Sequence, residues 1–349
     1  MGEIGNPFIC GGFYQQFQRS ATQFHGLAQL AIGVAACKGQ SAVNASDVVD
    51  IDAELRGFLD QSRFRVAGSV MTDLDGTAVH EDRGRIYIPE PVELGLRELH
   101  RTGRPFILNS LRFPLSVLRT FGREWYSISN SPIPLVSLNG SLVGLVTKNE
   151  AGELMFEEME AFPITVKEIE EVLRGVKGLL DNKVKDLLIF YYPRDWRMGE
   201  IIWTPVPDNV FHVKQKYLSA SSVTAVEFNK LCDQLSAEQL CMIFLLIDLP
   251  HDQLMAYQHT KRSNFFTHKG VDKLFGAQQI ARHLSIDLTQ SIGAGDTELD
   301  SFLSGVGLAV LVGNNNLDYK GLMHTVRLSN AFQFGSLLFR LAELQRESA

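Results

Sequence analysis

From Phe64 onward, short apolar runs that close on small or polar residues alternate with stretches of helical period. A strand covered by helices on both faces reads as an unbroken apolar run, so this rhythm predicts βαβ units around a parallel sheet. Five runs predict strands: Val66–Met71, Pro105–Leu108, Pro134–Leu138, Leu288–Ala294 and Leu308–Val312. Pro91–Thr102, Leu115–Trp125 and Val271–Leu284 carry the spacing of helices between them. In such an α/β fold ligands bind beyond the carboxyl ends of the strands, which makes the residues after each run the first suspects for chemistry.

The rhythm breaks between the third and fourth strands. There, Leu154–Glu160, Lys185–Tyr192, Glu200–Thr204 and Cys241–Asp248 predict strands, and Thr165–Leu179 and Ala225–Leu235 predict helices. This reads as an inserted α+β domain over 144–259, flanked by core segments 63–143 and 260–349, after an N-terminal extension of 1–62 that carries no legible motif. Leu27–Cys37 is too short to span a bilayer and lacks a basic leader before it, so it predicts a buried or amphipathic helix and no membrane partner.

Composition narrows the class. With 45% hydrophobic and 21% charged residues, a chain of 349 can bury a sizeable core. A formal charge of −7 argues against a nucleic-acid partner, which calls for clustered Lys and Arg. Cys10, Cys37, Cys232 and Cys241 form no CxxC pair, so they predict reduced structural thiols in a cytoplasmic protein. His80, His251, His259 and His268 show no metal spacing and read as surface or core histidines.

Two acidic strings change the picture. The first strand runs into Thr72-Asp73-Leu74-Asp75-Gly76-Thr77, two carboxylates two residues apart on a tight turn. Such acids repel unless a cation or a shared proton lies between them, and phosphoryl transfer needs both an attacking oxygen and a proton donor. The fourth strand runs into Gly295-Asp296-Thr297-Glu298-Leu299-Asp300, where Asp296 and Asp300 would share a face if a helix began there. With Asp73 they offer the hard oxygen ligands that suit Mg2+.

These strings, in order and at strand ends, resemble the haloacid dehalogenase (HAD) superfamily of phosphatases, in its Cof-like, sugar-phosphate branch. The resemblance covers residues 64 to 340 and rests on Asp73–Thr77, Ser110-Leu111-Arg112, Lys269-Gly270 and Gly295–Asp300. It implies a Rossmann-like core and a role for each matching position. Asp73 would attack phosphorus, and Asp75 would protonate the leaving oxygen and then deprotonate water. Mg2+ would be held by Asp73, the Asp75 carbonyl and Asp296, with Asp300 as ligand or support. Ser110 and Lys269 would hold the phosphoryl oxygens; Lys273, one turn on, is set aside because Lys269 precedes a glycine as in the family. Ser110-Leu111-Arg112 departs from the Thr-Gly-Arg of many relatives, and Leu299 stands where many have Asn.

About 35 residues separate Asp75 from Ser110, too few for a domain, so the insertion has the position of a C2-type cap. In relatives that arrangement goes with phosphosugars and other small phosphates. Arg112, Asn139 and, in the run Tyr191–Arg197, Arg194 and Arg197 are the candidate substrate contacts. The resulting expectation is a Mg2+-dependent phosphatase acting on a small phosphorylated metabolite. A phosphosugar mutase on the same scaffold and a non-catalytic phosphate-binding module are the alternatives.

Overall fold

The strand-forming runs owe their burial to helices packed on both faces of one central sheet. The computed structural model describes residues 45–83, 85–247 and 264–347; Leu27–Cys37, Cys10, Asp248, His251 and His259 lie outside them. Helices α1 (Ala45–Gln61) and α2 (Phe64–Ala67) lead into β1 (Val70–Thr72) and a hairpin of β2 (His80–Asp82) and β3 (Arg85–Tyr87). Then come α3 (Glu90–Arg101), β4 (Phe106–Asn109), α4 (Pro114–Ser129), β5 (Ile133–Ser137), β6 (Leu142–Lys148) and β7 (Leu154–Ala161).

The second segment holds α5 (Val166–Asp181), β8 (Leu187–Pro193), β9 (Ile201–Trp203), α6 (Val210–Lys216), β10 (Ser222–Thr224), α7 (Phe228–Ala237), β11 (Leu240–Ile247) and β12 (Phe265–Phe266). The chain then runs through α8 (Lys273–His283), β13 (Ile292–Gly295), β14 (Leu308–Val312), β15 (His324–Leu328) and α9 (Ala331–Glu347).

The central sheet has the order β15-β14-β13-β1-β4-β5-β6-β7, parallel from β15 to β5 and antiparallel at β6 and β7. Successive side chains face opposite layers. Val70, Phe106 and Leu108 join Leu96, Val117 and Leu338 on one side, while Met71 and Ile107 join Ala277, Ile280 and Phe302 on the other. The sequence pattern places residues 144–161 in the insertion. The sheet takes them into the core instead, because β6 pairs along β5 and β7 along β6.

The insertion proper is a second sheet, β10-β9-β8-β11-β12, whose last strand comes from Phe265–Phe266, beyond the expected return at 260. On one face it packs α5 and α7 through Ile169, Val176, Leu231 and Leu235 against Ile189, Trp203 and Ile243. Thr165 caps α5 reciprocally with Glu168, which fixes where that helix starts. The other face turns toward the core, and there the Tyr192 ring lies 5.6 Å from Phe113.

Part of the extension belongs to the core. Leu55 and Phe58 of α1 are fully buried, and Asp52 and Glu54 pair with Arg340 and His324 at 2.5 and 2.6 Å. The first predicted strand begins late: Phe64–Ala67 is a helical turn, and pairing starts at Val70. Cys232 and Cys241 are free thiols. Among the described residues no helix is long and apolar enough to cross a membrane.

Candidate active site

The carboxyl ends of β1, β4 and β13 bring the acidic strings together. The Asp73 N–H donates to the Ala294 carbonyl at 2.9 Å, continuing the parallel ladder one residue past β1 and fixing the Asp73 backbone. The chain then turns sharply, with Thr77, Ala78 and Val79 N–H groups all donating to the Leu74 carbonyl. Gly76 at φ +83° is required in this turn: a Cβ there would stand 2.2 Å from Asp296 Oδ2.

Asp300 organises the second string. It is fully buried; its Oδ2 accepts from the Asp296 and Thr297 N–H groups at 2.9 Å each, and its Oδ1 from Lys273 Nζ at 2.7 Å. The string is therefore a loop folded around the Asp300 carboxylate rather than the first turn of an α-helix; a short 3-10 helix starts only at Ser301.

Lys273 occupies the position assigned to Lys269. Its side chain is 2% exposed, and Nζ donates to Asp73 Oδ1 at 2.6 Å as well as to Asp300. Two carboxylates against one ammonium outweigh the burial that would discharge it, so the Lys273 pKa is raised. Burial pushes the Asp73 carboxyl well above its ordinary range, opposed by Lys273 and reinforced by Asp300, Asp296 and Asp75. Asp296 is pushed up to about 7, by burial first and then by Asp300. Its Oδ1 accepts from the Thr77 hydroxyl at 3.1 Å.

Ser110 follows β4, its N–H held by the Val136 carbonyl at 2.9 Å and its Oγ accepting from the Arg112 N–H at 3.1 Å. Arg112 turns inward and clasps Asp75 with two hydrogen bonds of 2.7 Å. A cavity of about 350 Å3 opens over this group, lined by Asp73, Asp75, Ser110, Lys273 and Asp296. His80 stands on its rim, edge-on to the rings of Tyr87 and Phe332 at 5.7 and 5.3 Å.

The ordered strings, the βαβ sheet and the inserted second sheet agree with the comparison of the chain with known families, in which the model for haloacid dehalogenase-like hydrolases matches residues 70–332. The chain belongs to that family. No curated protein matches it. Among solved structures, a HAD subclass IIB sugar phosphatase is similar at TM-score 0.54 and 17% identity, over 80% of this chain and 98% of that one. A Thermotoga maritima protein gives 0.54 and 18%, over 79% and 97%. A candidate HAD/COF-like hydrolase from Plasmodium vivax gives 0.58 and 16%, over 84% and 99%. At these identities the likeness is one of fold.

For a haloacid dehalogenase-like hydrolase the donor set fits a divalent cation. Asp73, Asp296 and Asp300 each offer a carboxylate oxygen within 4.8 Å of the others. Four carboxylates, those of Asp73, Asp75, Asp296 and Asp300, face the two cations Lys273 and Arg112, so ionising all four would leave an excess of negative charge for a divalent cation to offset. Asp300 already has hydrogen-bond donors on both oxygens, so in a metal-bound site it would serve as support while Asp73 and Asp296 would ligate.

Several sequence expectations are not met by this haloacid dehalogenase-like site. Lys269 is exposed, its N–H donates to Glu168 Oε1 at 2.9 Å, Gly270 after it turns at φ +82°, and Lys269 does not line the Asp73 cavity. The signal that could have found Lys273 is Asp272, which caps α8 by accepting from the Phe275 N–H and so puts Lys273 on the first turn, aimed at the strand ends.

Arg194 pairs with Glu158 of β7 at 2.7 Å and with Gln239 at 3.0 Å, while the Arg197 guanidinium lies 5.0 Å from the Trp196 ring centroid. Both line a separate open groove with Phe156 and Glu158 and do not reach the Asp73 cavity. Asn139 is buried beneath the site, its N–H donating to the Ser110 carbonyl at 3.4 Å. Gly140 beside it, at φ +97°, passes so close to α8 that a Cβ would meet the Asp272 carbonyl at 2.1 Å. Asn139 and Gly140 thus seat the start of α8 rather than touch the cavity.

Proposed function

We propose that the chain is a Mg2+-dependent phosphomonoester hydrolase of the Cof-like branch that works through an aspartyl-phosphate at Asp73. The observation that carries this reading is the buried Asp73–Lys273–Asp300 arrangement beside Asp75 and Asp296, on the floor of one cavity. A small phosphorylated metabolite, a phosphosugar in particular, fits a cavity of about 350 Å3 and the sugar phosphatase named among the fold neighbours.

The chemistry follows from the residues. Lys273 holds Asp73 Oδ1, so Oδ2 attacks phosphorus in line with the ester bond, which breaks as Asp75 gives a proton to the departing oxygen. Asp75 then takes a proton from water, whose oxygen attacks the same phosphorus; the Asp73–phosphate bond breaks and phosphate leaves. Ser110 and Lys273 offset the charge on the phosphoryl oxygens throughout. Mg2+ held by Asp73 and Asp296, with the Asp75 carbonyl, would supply positive charge at the transferring group and bring the two anions together. The inserted sheet, a C2-type cap by position, would exclude water from the first step.

A broad panel of phosphate esters, assayed for phosphate release with and without Mg2+, tests the reading. Turnover of at least one sugar phosphate that vanishes with chelator is expected. Absence of release from every ester in the presence of Mg2+ contradicts it.

A further inference from the structure

We propose that Arg112 is the positioning residue for Asp75. This rests on the hydrolase reading and reassigns Arg112 from a substrate contact to a partner of the acid–base residue.

The guanidinium is tethered on several sides. Nε and Nη2 donate to the two Asp75 oxygens at 2.7 Å each, Nη1 donates to Ser116 Oγ at 3.2 Å, and the group lies 5.2 Å from the Phe121 ring centroid. Helix α4 kinks at Phe121, where φ is −153°. The Arg112 carbonyl accepts from Ser137 Oγ at 2.5 Å, so backbone and side chain are both held. The side chain is 2% exposed, against 24% for Asp75. A planar fork gripping both oxygens fixes the direction of a carboxylate as a point charge cannot.

The segment after Arg112 meets the inserted sheet, where Glu200, 1% exposed just before β9, accepts from Tyr192 Oη at 2.6 Å and Ser219 Oγ at 3.0 Å. Tyr192 packs on Phe113, the residue after Arg112, and a Cβ on Gly199 would lie 3.2 Å from Leu115. The Arg112 charge favours the ionised form of Glu200, against the burial that raises its pKa. The segment after Arg112 therefore packs against the inserted sheet.

The test separates proton delivery from phosphate binding. An alkyl phosphate needs its leaving oxygen protonated, whereas p-nitrophenyl phosphate departs without help, and kcat/KM reports only steps through formation of the phosphoenzyme. In Arg112→Ala, kcat/KM is expected to fall about a hundredfold for an alkyl phosphate and less than about threefold for the aryl ester. Arg112→Lys recovers little, for want of the fork. In an Asp75→Asn background, Arg112→Ala adds no further loss on the alkyl ester, because the group it positions is already gone.

Equal losses on both esters, an unchanged enzyme, or a full additional loss in the Asp75→Asn background each overturn the proposal. Asp73→Asn, assayed alongside, distinguishes the two levels. If it retains turnover the aspartyl-phosphate reading at Asp73 itself fails. If it is inactive while Arg112 variants lose both esters equally, only the positioning role fails.

Discussion

At the scale of single residues, the site turns on Lys273. Lys269 and Lys273 are four positions apart, and the glycine after Lys269 makes it the better match to the family string. What decides between them is burial: a lysine 2% exposed survives only between anions, and Asp73 and Asp300 are those anions. Lys273→Met is expected to lower kcat more than a thousandfold and, by leaving two buried acids unpaired, to cost about 3–5 kcal/mol of stability in denaturant unfolding. Lys269→Ala should keep activity within about twofold, as is usual for an exposed side chain. The reverse outcome would return the role to Lys269.

Asp296 supplies a pH test at the same scale. Its folded-state pKa, about 7, lies above its ordinary 3.8, so its ionisation opposes folding. That opposition is absent below pH 3.8, grows as pH rises toward 7 and is constant above. A bound cation relieves it, but at lower pH the cation must first displace the proton. The rise in Tm on adding Mg2+ is therefore expected to be larger at pH 8 than at pH 5.5, as differential scanning fluorimetry would show. A shift independent of pH contradicts the assignment of Asp296 as a ligand.

At the scale of elements, the sequence is most informative where both faces of a strand are covered. Leu308–Val312 is β14 to the residue, and Pro105–Leu108 is displaced by one, because such strands must be apolar throughout. The pattern was silent about sheet membership for β6 and β7. An antiparallel strand carries the same alternation whether it pairs with the core or with an insertion, and only the register β5–β6–β7 decides. The hairpin β2–β3 and the strand β15 left no signal strong enough to read, being short or half exposed. Asn139, a candidate substrate contact by sequence, lies instead in the turn between β5 and β6, beside Gly140. Gly140→Ala should strain a backbone at φ +97° and drive a Cβ into the Asp272 carbonyl, displacing α8 and Lys273 with it. Loss of at least about 2 kcal/mol in urea unfolding, with a parallel fall in kcat, is expected. Unchanged stability would mean that this junction does not seat the helix.

At the scale of the whole molecule, two features reach beyond the motifs. The extension has no motif, yet α1 inserts Leu55 and Phe58 against the sheet and ties itself to α9 and β15. Removing residues 1–62 should expose that surface and cost at least about 3 kcal/mol, on the usual worth of two fully buried apolar side chains. The inserted sheet was visible as a break in rhythm, but the basic, aromatic run at its edge was misread, because composition cannot show which way a loop faces. Arg194 is occupied by Glu158, and a surface pair of this kind contributes little. Replacing Arg194 and Arg197 with Ala should thus leave KM for any sugar phosphate within about twofold.

On the proposed mechanism Asp73 carries the phosphoryl group, and an acyl phosphate can be caught chemically. An Asp75→Asn variant, unable to activate water, is mixed with p-nitrophenyl phosphate and Mg2+, quenched in acid and reduced with borohydride, which converts an acyl phosphate of aspartate to homoserine. A burst of p-nitrophenolate is expected, with homoserine at position 73 alone, found by peptide mass spectrometry. A burst with aspartate intact at 73, or with the label at another residue, would contradict it.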